Sequence, residues 1–139
     1  MNLLDKFKDI TNPFSPKIIG KMNVLDKFKD VKNPFSPKII GEINDSFVKI
    51  AIIDGDKIPW HNHKAEDELF YILEGRLLFE IEGEDSFMMN QGDLFIVKKG
   101  INHRVSSNKP CKIMLVENKS TAHTGTVKSE ITKTISEQL

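Results

Sequence analysis

Arginine, cysteine, tryptophan and tyrosine are all scarce in this 139-residue chain, and no long apolar run is present. Cys111 is the lone cysteine, which excludes an internal disulfide. Apolar stretches such as Ile50-Ala51-Ile52-Ile53 fall far short of the roughly 20 residues a helix needs to cross a bilayer. The opening Met-Asn-Leu-Leu-Asp-Lys-Phe-Lys lacks the apolar run of a signal peptide, so a cytoplasmic location and no membrane partner are expected. Charge of one sign is not in excess either. Twenty basic residues, all lysine except Arg76 and Arg104, balance twenty acidic ones. No overall field attracts a polyanion and no nucleic-acid-binding motif appears, so nucleic acid is not expected as a partner.

The length suits one domain with one hydrophobic core. Residues 1–21 repeat as residues 22–42 with 17 of 21 positions identical. Two copies are too few for a stacked array, so the repeat reads as a tandem duplication of an original N-terminus. Leu3, Leu4, Phe7 and Ile10, and their counterparts Val24, Leu25, Phe28 and Val31, follow helical spacing and predict a helix of about two turns in each copy. Asn12-Pro13-Phe14-Ser15-Pro16 and Asn33-Pro34-Phe35-Ser36-Pro37 end it.

From Ser46 onward the pattern becomes short strands cut by turn residues, which predicts an all-β fold of antiparallel strands, a sandwich or barrel. The expected strands are 47–53, 57–63, 68–73, 76–82, 86–89, 94–97, 103–107 and 111–117, separated by Gly55, Gly75, Gly83, Gly92, Gly100 and Asn108-Lys109-Pro110. Strict alternation in 76–82 turns Leu77, Phe79 and Ile81 inward. The expected organisation is a duplicated N-terminal helical arm (1–42), a β-barrel (43–117) and a polar C-terminal tail (118–139) that is loose or an arm.

Three of the four histidines fall in one pattern. His61 and His63 are two apart on an expected strand, so both imidazoles leave one face and can converge. Glu68 begins the next strand and His103 lies on a later one. Three imidazoles and a carboxylate suit one divalent first-row ion, with positions left for water or substrate. His123, in the polar tail, is expected to be solvated and not a ligand.

At these residues the chain resembles the cupin family. Its first motif, Gly, five residues, His-x-His, three or four residues, Glu, six residues, Gly, is matched at every position from Gly55 through His61, His63 and Glu68 to Gly75. The second is matched at Gly92, Gly100 and His103, with Lys98 standing where proline is usual and Ser107 where asparagine is. The stretch 38–121 looks most like short stand-alone prokaryotic cupins with a mannose-6-phosphate-isomerase-like label. The resemblance implies a double-stranded β-helix (jelly-roll) barrel, metal ligands at His61, His63, Glu68 and His103, and a homodimer.

Strand phase places Phe70 and Ile72 beside Glu68, and Ile101 and Val105 beside His103, as apolar walls that would bind substrate. Tyr71 and Arg104 fall on the opposite phase, Lys98 and Lys99 read as solvated turn residues, and no catalytic acid or base is evident. Apolar walls count against a sugar phosphate, which wants convergent cations. Two functions stay open. One is a metal-dependent isomerase or dioxygenase acting on a small molecule through manganese, iron, zinc, nickel or copper. The other is a non-catalytic module that binds or senses a small ligand.

Overall fold

The computed structural model describes residues 21–125 and 127–139. The first copy of the duplicated segment, with its expected helix, lies outside the described residues. The second copy forms a 3₁₀ helix, Leu25–Asp30, that buries Phe28 against the Lys112 ammonium, 5.5 Å from the ring centre. Seven antiparallel strands follow: β1 Lys38–Ile43, β2 Ser46–Gly55, β3 Glu68–Glu74, β4 Arg76–Ile81, β5 Phe87–Asn90, β6 Leu94–Val97 and β7 His103–Asn118. A short helix, α1 Ile135–Gln138, ends the chain, with Thr134 and Glu137 forming a capping box. No described helix is long and apolar enough to cross a membrane.

The strands make the jelly roll expected for an all-β cupin, although the sheet does not close on itself. One ladder runs β1-β2-β7-β3-β6, and β4 pairs with β5 on one side and β7 on the other. The long strand β7 is the spine. Its C-terminal half pairs with β2 and β3, and its N-terminal half, from His103 to Ser106, pairs with β4.

Two expected strands, 103–107 and 111–117, are therefore one. Gly55 pairs with Ser107 and Ile53 with Cys111, so Asn108, Lys109 and Pro110 bulge opposite Asp54. The turn signal was sound, but it bends the strand instead of ending it, and Pro110 needs no ladder partner there. Gly75 (φ +93°) packs against that bend, where an added Cβ would stand 3.1 Å from the Pro110 carbonyl oxygen and 3.2 Å from the Cys111 Cα. The close of the first motif thus needs glycine for both its backbone angle and its space.

Two further corrections concern the ends of the barrel. Residues 57–63 do not form a strand. Pro59 cannot donate to a ladder, and the segment is tied down where His61 and His103 exchange backbone hydrogen bonds of 3.0 and 2.9 Å and where the Gly100 N–H donates to the His63 oxygen. Residues 38–42, expected in the arm, belong with Ile43 to β1, which joins β2 by the two-residue turn Asn44-Asp45 with Asn44 at φ 50°.

The core fills the space between the sheets with Phe70, Ile72, Leu77, Phe79, Val105 and Ile113, among others. Phe79 is fully buried and stands edge-on to Phe70 (5.1 Å) and nearly parallel to the His103 ring (5.7 Å, 13°). Burying such a ring contributes about 1.5–3 kcal/mol, and here it also sets the plane of a site residue. The C-terminal segment is not a loose polar tail. Ile131 joins the core, Thr121, Thr124 and Gln138 are buried, and the Lys49 ammonium donates to Gln138 Oε1.

Candidate metal centre

His61, His63 and His103 converge inside the barrel, all buried, with one nitrogen from each lying within 4.8 Å of the others. Their ring centres are 4.5 to 6.0 Å apart. Convergence does not come from two residues on one strand face, as the sequence suggested. It comes from the bridge that seats the extended 61–63 segment against the start of β7, helped by the Gly100 N–H donating to the His63 carbonyl oxygen at 2.8 Å.

Backbone carbonyls orient two of the rings. His61 Nδ1 lies 2.9 Å from the Pro59 oxygen and His103 Nδ1 2.9 Å from the Ile101 oxygen. Those contacts require the proton on Nδ1, which leaves a lone pair on each Nε2. Nε2 of His63 and of His103 is buried without a hydrogen-bond partner among the described residues. Buried polar atoms are rarely left unpaired, so this donor set fits a cation that accepts lone pairs. Burial lowers the His61 pKa to about 4, which keeps that imidazole neutral and able to ligate.

Glu68, at the start of β3, brings its carboxylate to 3.3 Å from His63 Nε2 and 3.7 Å from His103 Nε2. Burial alone would push its pKa up. A hydrogen bond from Glu117, together with the adjacent His103 and His63 rings, outweighs burial and holds the carboxylate well below the usual range. Glu117, directly opposite on β7, is the reverse case: burial and the Glu68 charge raise it well above the usual range, so it carries the shared proton. Behind it the Lys49 ammonium, 1% exposed, lies 2.6 Å from Glu117.

A cavity of about 40 Å³ opens beside His61, His103 and Glu68, with walls from Phe35, Ala51, Ile53, Phe70 and Val105. On this measure it has room for about three waters. Of the four residues expected as apolar walls, Phe70 and Val105 line it. Ile72 is buried in the core without reaching the cavity, and Ile101 is 39% exposed. Ile101 precedes β7, so strand alternation does not extend to it. Arg104 and Tyr71 stay off the cavity; the Arg104 guanidinium pairs with Glu80 (2.6 Å) and covers Trp60, 4.7 Å from its ring centre. Lys98 pairs with Asp67 at 2.9 Å.

Phe35, in the second copy of the duplicated segment, enters this wall with φ +60°, a backbone angle that a bulky side chain rarely adopts. Its N–H donates to the Ile52 oxygen at 2.8 Å, which fixes the turn.

His123 is not solvated. It lines the same cavity, and burial lowers its pKa to about 4. Its Nδ1 accepts from the Lys133 N–H at 2.8 Å. Lys49, Glu117 and His123 were all missed as site residues. Period-two phase held a signal for the first two: Lys49 shares its face with Phe47 and Ala51, and Glu117 with Ile113 and Leu115, all buried.

Comparison with known proteins bears on the family and the fold. The Cupin domain family, Cupin_2, matches residues 49–117. Uncharacterized protein YdbB of Bacillus subtilis is 34% identical over 77 residues, which cover 55% of this chain and 67% of that protein. Uncharacterized protein MJ1618 of Methanocaldococcus jannaschii is 30% identical over 74 residues, covering 52% of this chain and 58% of the relative. The crystal structure of a cupin-2 domain containing protein from Shewanella frigidimarina is 31% identical, superposes with a TM-score of 0.67 and covers 70% of this chain and 94% of that one. By motif, fold and relatives, the chain belongs to the cupin domain family.

Proposed function

We propose that this cupin binds one divalent metal ion through His61, His63, His103 and Glu68, and acts on a compact small molecule bound beside it as an isomerase or oxygenase. One observation carries the reading: buried imidazole nitrogens at 63 and 103 face an ionised, buried carboxylate and have no hydrogen-bond partner among the described residues. A bound divalent ion would supply a Lewis acid or redox centre there. The chain's own residues do the rest. Pro59 and Ile101 carbonyls hold two ring tautomers. Glu117, held by Lys49, donates to Glu68 and keeps that carboxylate oriented and ionised. Phe35, Phe70 and Val105 exclude bulk water.

A non-catalytic ligand-binding module is the second reading. The small cavity, with the C-terminal segment at its wall, favours it, since such enclosure suits retention of a ligand. Metal analysis of protein purified without nickel resin, followed by a substrate panel under air and under nitrogen, separates these. Turnover that requires air supports an oxygenase, and turnover in both supports an isomerase. A metal-loaded protein that turns over nothing, yet retains a panel compound, would establish the binding module and refute catalysis.

A further inference from the structure

The C-terminal segment carries a feature that the metal site alone does not require. His123 lines the same cavity as His61, His103 and Glu68, and its Nδ1 is held by the Lys133 N–H. Because Nδ1 accepts from the Lys133 N–H, the ring proton resides on Nε2. His123 therefore differs from the other three histidines: it offers the cavity a hydrogen-bond donor, where they offer lone pairs.

Its position is built rather than incidental. Thr124 is buried, hydrogen-bonded to Thr132 at 2.8 Å and to the Val127 oxygen. Gly125, at φ +59°, lies so close to the His61–His63 segment that an added Cβ would come within 2.2 Å of the Asn62 oxygen. Gln138 donates to the Lys133 oxygen at 3.1 Å and accepts from Lys49, which ties the segment bearing the 133 N–H to the barrel interior.

We propose that His123 is a ligand-binding residue of the metal cavity, donating from Nε2 to an oxygen of a small carboxylate or carbonyl compound with an apolar body. The reading rests on the metal site proposed above. A donor and a Lewis acid lining one small cavity both call for an oxygen acceptor, while the rest of its lining is largely apolar and the volume admits only a few heavy atoms. A phosphate is a poor fit, because among the described residues no lysine or arginine lines the cavity.

The test uses the full chain loaded with cobalt(II), whose visible spectrum reports metal stoichiometry and inner-sphere ligands separately, and propionate as the probe. Two substitutions separate a cavity donor from a tail anchor. His123→Asn keeps an acceptor within reach of the Lys133 N–H but removes the donor to the cavity, whereas His123→Gln places an amide N–H near the former Nε2. Wild type should bind cobalt near 1:1 and show a propionate-dependent spectral shift. His123→Asn should weaken propionate about tenfold with unchanged cobalt stoichiometry and melting temperature. His123→Gln should recover most of that loss.

Equal propionate affinity in wild type and His123→Asn would overturn the assignment, as would no propionate effect on wild type or tighter binding of inorganic phosphate than of propionate. Failure of wild type to bind cobalt would instead refute the metal reading itself, and this proposal with it.

Discussion

Removing the buried ammonium at position 49 should cost the protein far more than its place in an ordinary strand suggests. Lys49 is 1% exposed and 2.6 Å from Glu117, which shares its proton with the ionised Glu68. The chain thus buries one positive and one negative charge, linked through a protonated carboxyl. Lys49→Met preserves side-chain length and apolar contacts but leaves the Glu68–Glu117 pair without its counter-charge. Breaking a buried pair in this way costs about 3–5 kcal/mol, and for a chain of this size each kcal/mol lowers the melting temperature by about 2–4 °C. Loss of roughly 10 °C is expected in metal-free protein. Lys49→Met/Glu117→Leu should recover part of it, because the double variant no longer buries the second carboxyl, with a coupling energy of about 0.5–3 kcal/mol. Urea denaturation of the four proteins in the cycle, with midpoint and slope compared, measures this. A Lys49→Met variant within 1 kcal/mol of wild type, or strictly additive effects, would refute the linked-charge account.

Three further outcomes are expected. His123 has an ordinary pKa of 6.5 when unfolded and about 4 when folded, so the unfolded chain binds its proton first; that contribution to stability is complete above pH 6.5 and is lost as pH falls toward 4. Metal-free wild type should accordingly lose about 2–3 kcal/mol more than His123→Asn between pH 7.5 and 4.5, and equal losses would count against a half-buried neutral ring. A chain beginning at Met22 should keep its melting temperature and metal content, because the copy that supplies Phe28 and Phe35 to the described fold is the second one; loss of soluble protein on deleting 1–21 would show that the first copy is part of the fold. Light scattering at tens of micromolar should give a dimer mass, since the outer strands β1 and β6 expose Ile43, Leu94 and Ile96, and a monomer mass would contradict this.

The sequence was most informative where chemistry and backbone period coincide. His61, His63, Glu68 and His103 stand together because a spaced motif specifies both the ligand types and the turn at Gly75 that brings the strands back. Strand 94–97 was read to the residue, and Leu77 and Phe79 face inward as alternation requires. Reading failed where a local signal has two physical outcomes. Asn108-Lys109-Pro110 encodes a bend, and only the pairing partners Ile53 and Gly55 decide between a bulge and a turn. Lys38-Ile39-Ile40 has strand propensity, but its place within a repeat masked it. The hardest case was 118–139, whose polar composition suggests solvent. Its buried Thr121, Thr124 and Gln138 are satisfied or enclosed through tertiary contacts that no local pattern announces.

The central claim is that the histidine cluster and Glu68 form a metal site, and isothermal titration of chelator-stripped protein with zinc tests it most directly. Wild type should bind near 1:1. His103→Ala removes a buried donor whose Nε2 has no hydrogen-bond partner among the described residues, so its affinity should fall by more than the roughly 10–100-fold attributed to outer-sphere partners. His123→Asn, which alters no proposed ligand, should titrate like wild type. Equal zinc affinity in wild type and His103→Ala, with both proteins folded, would contradict the account.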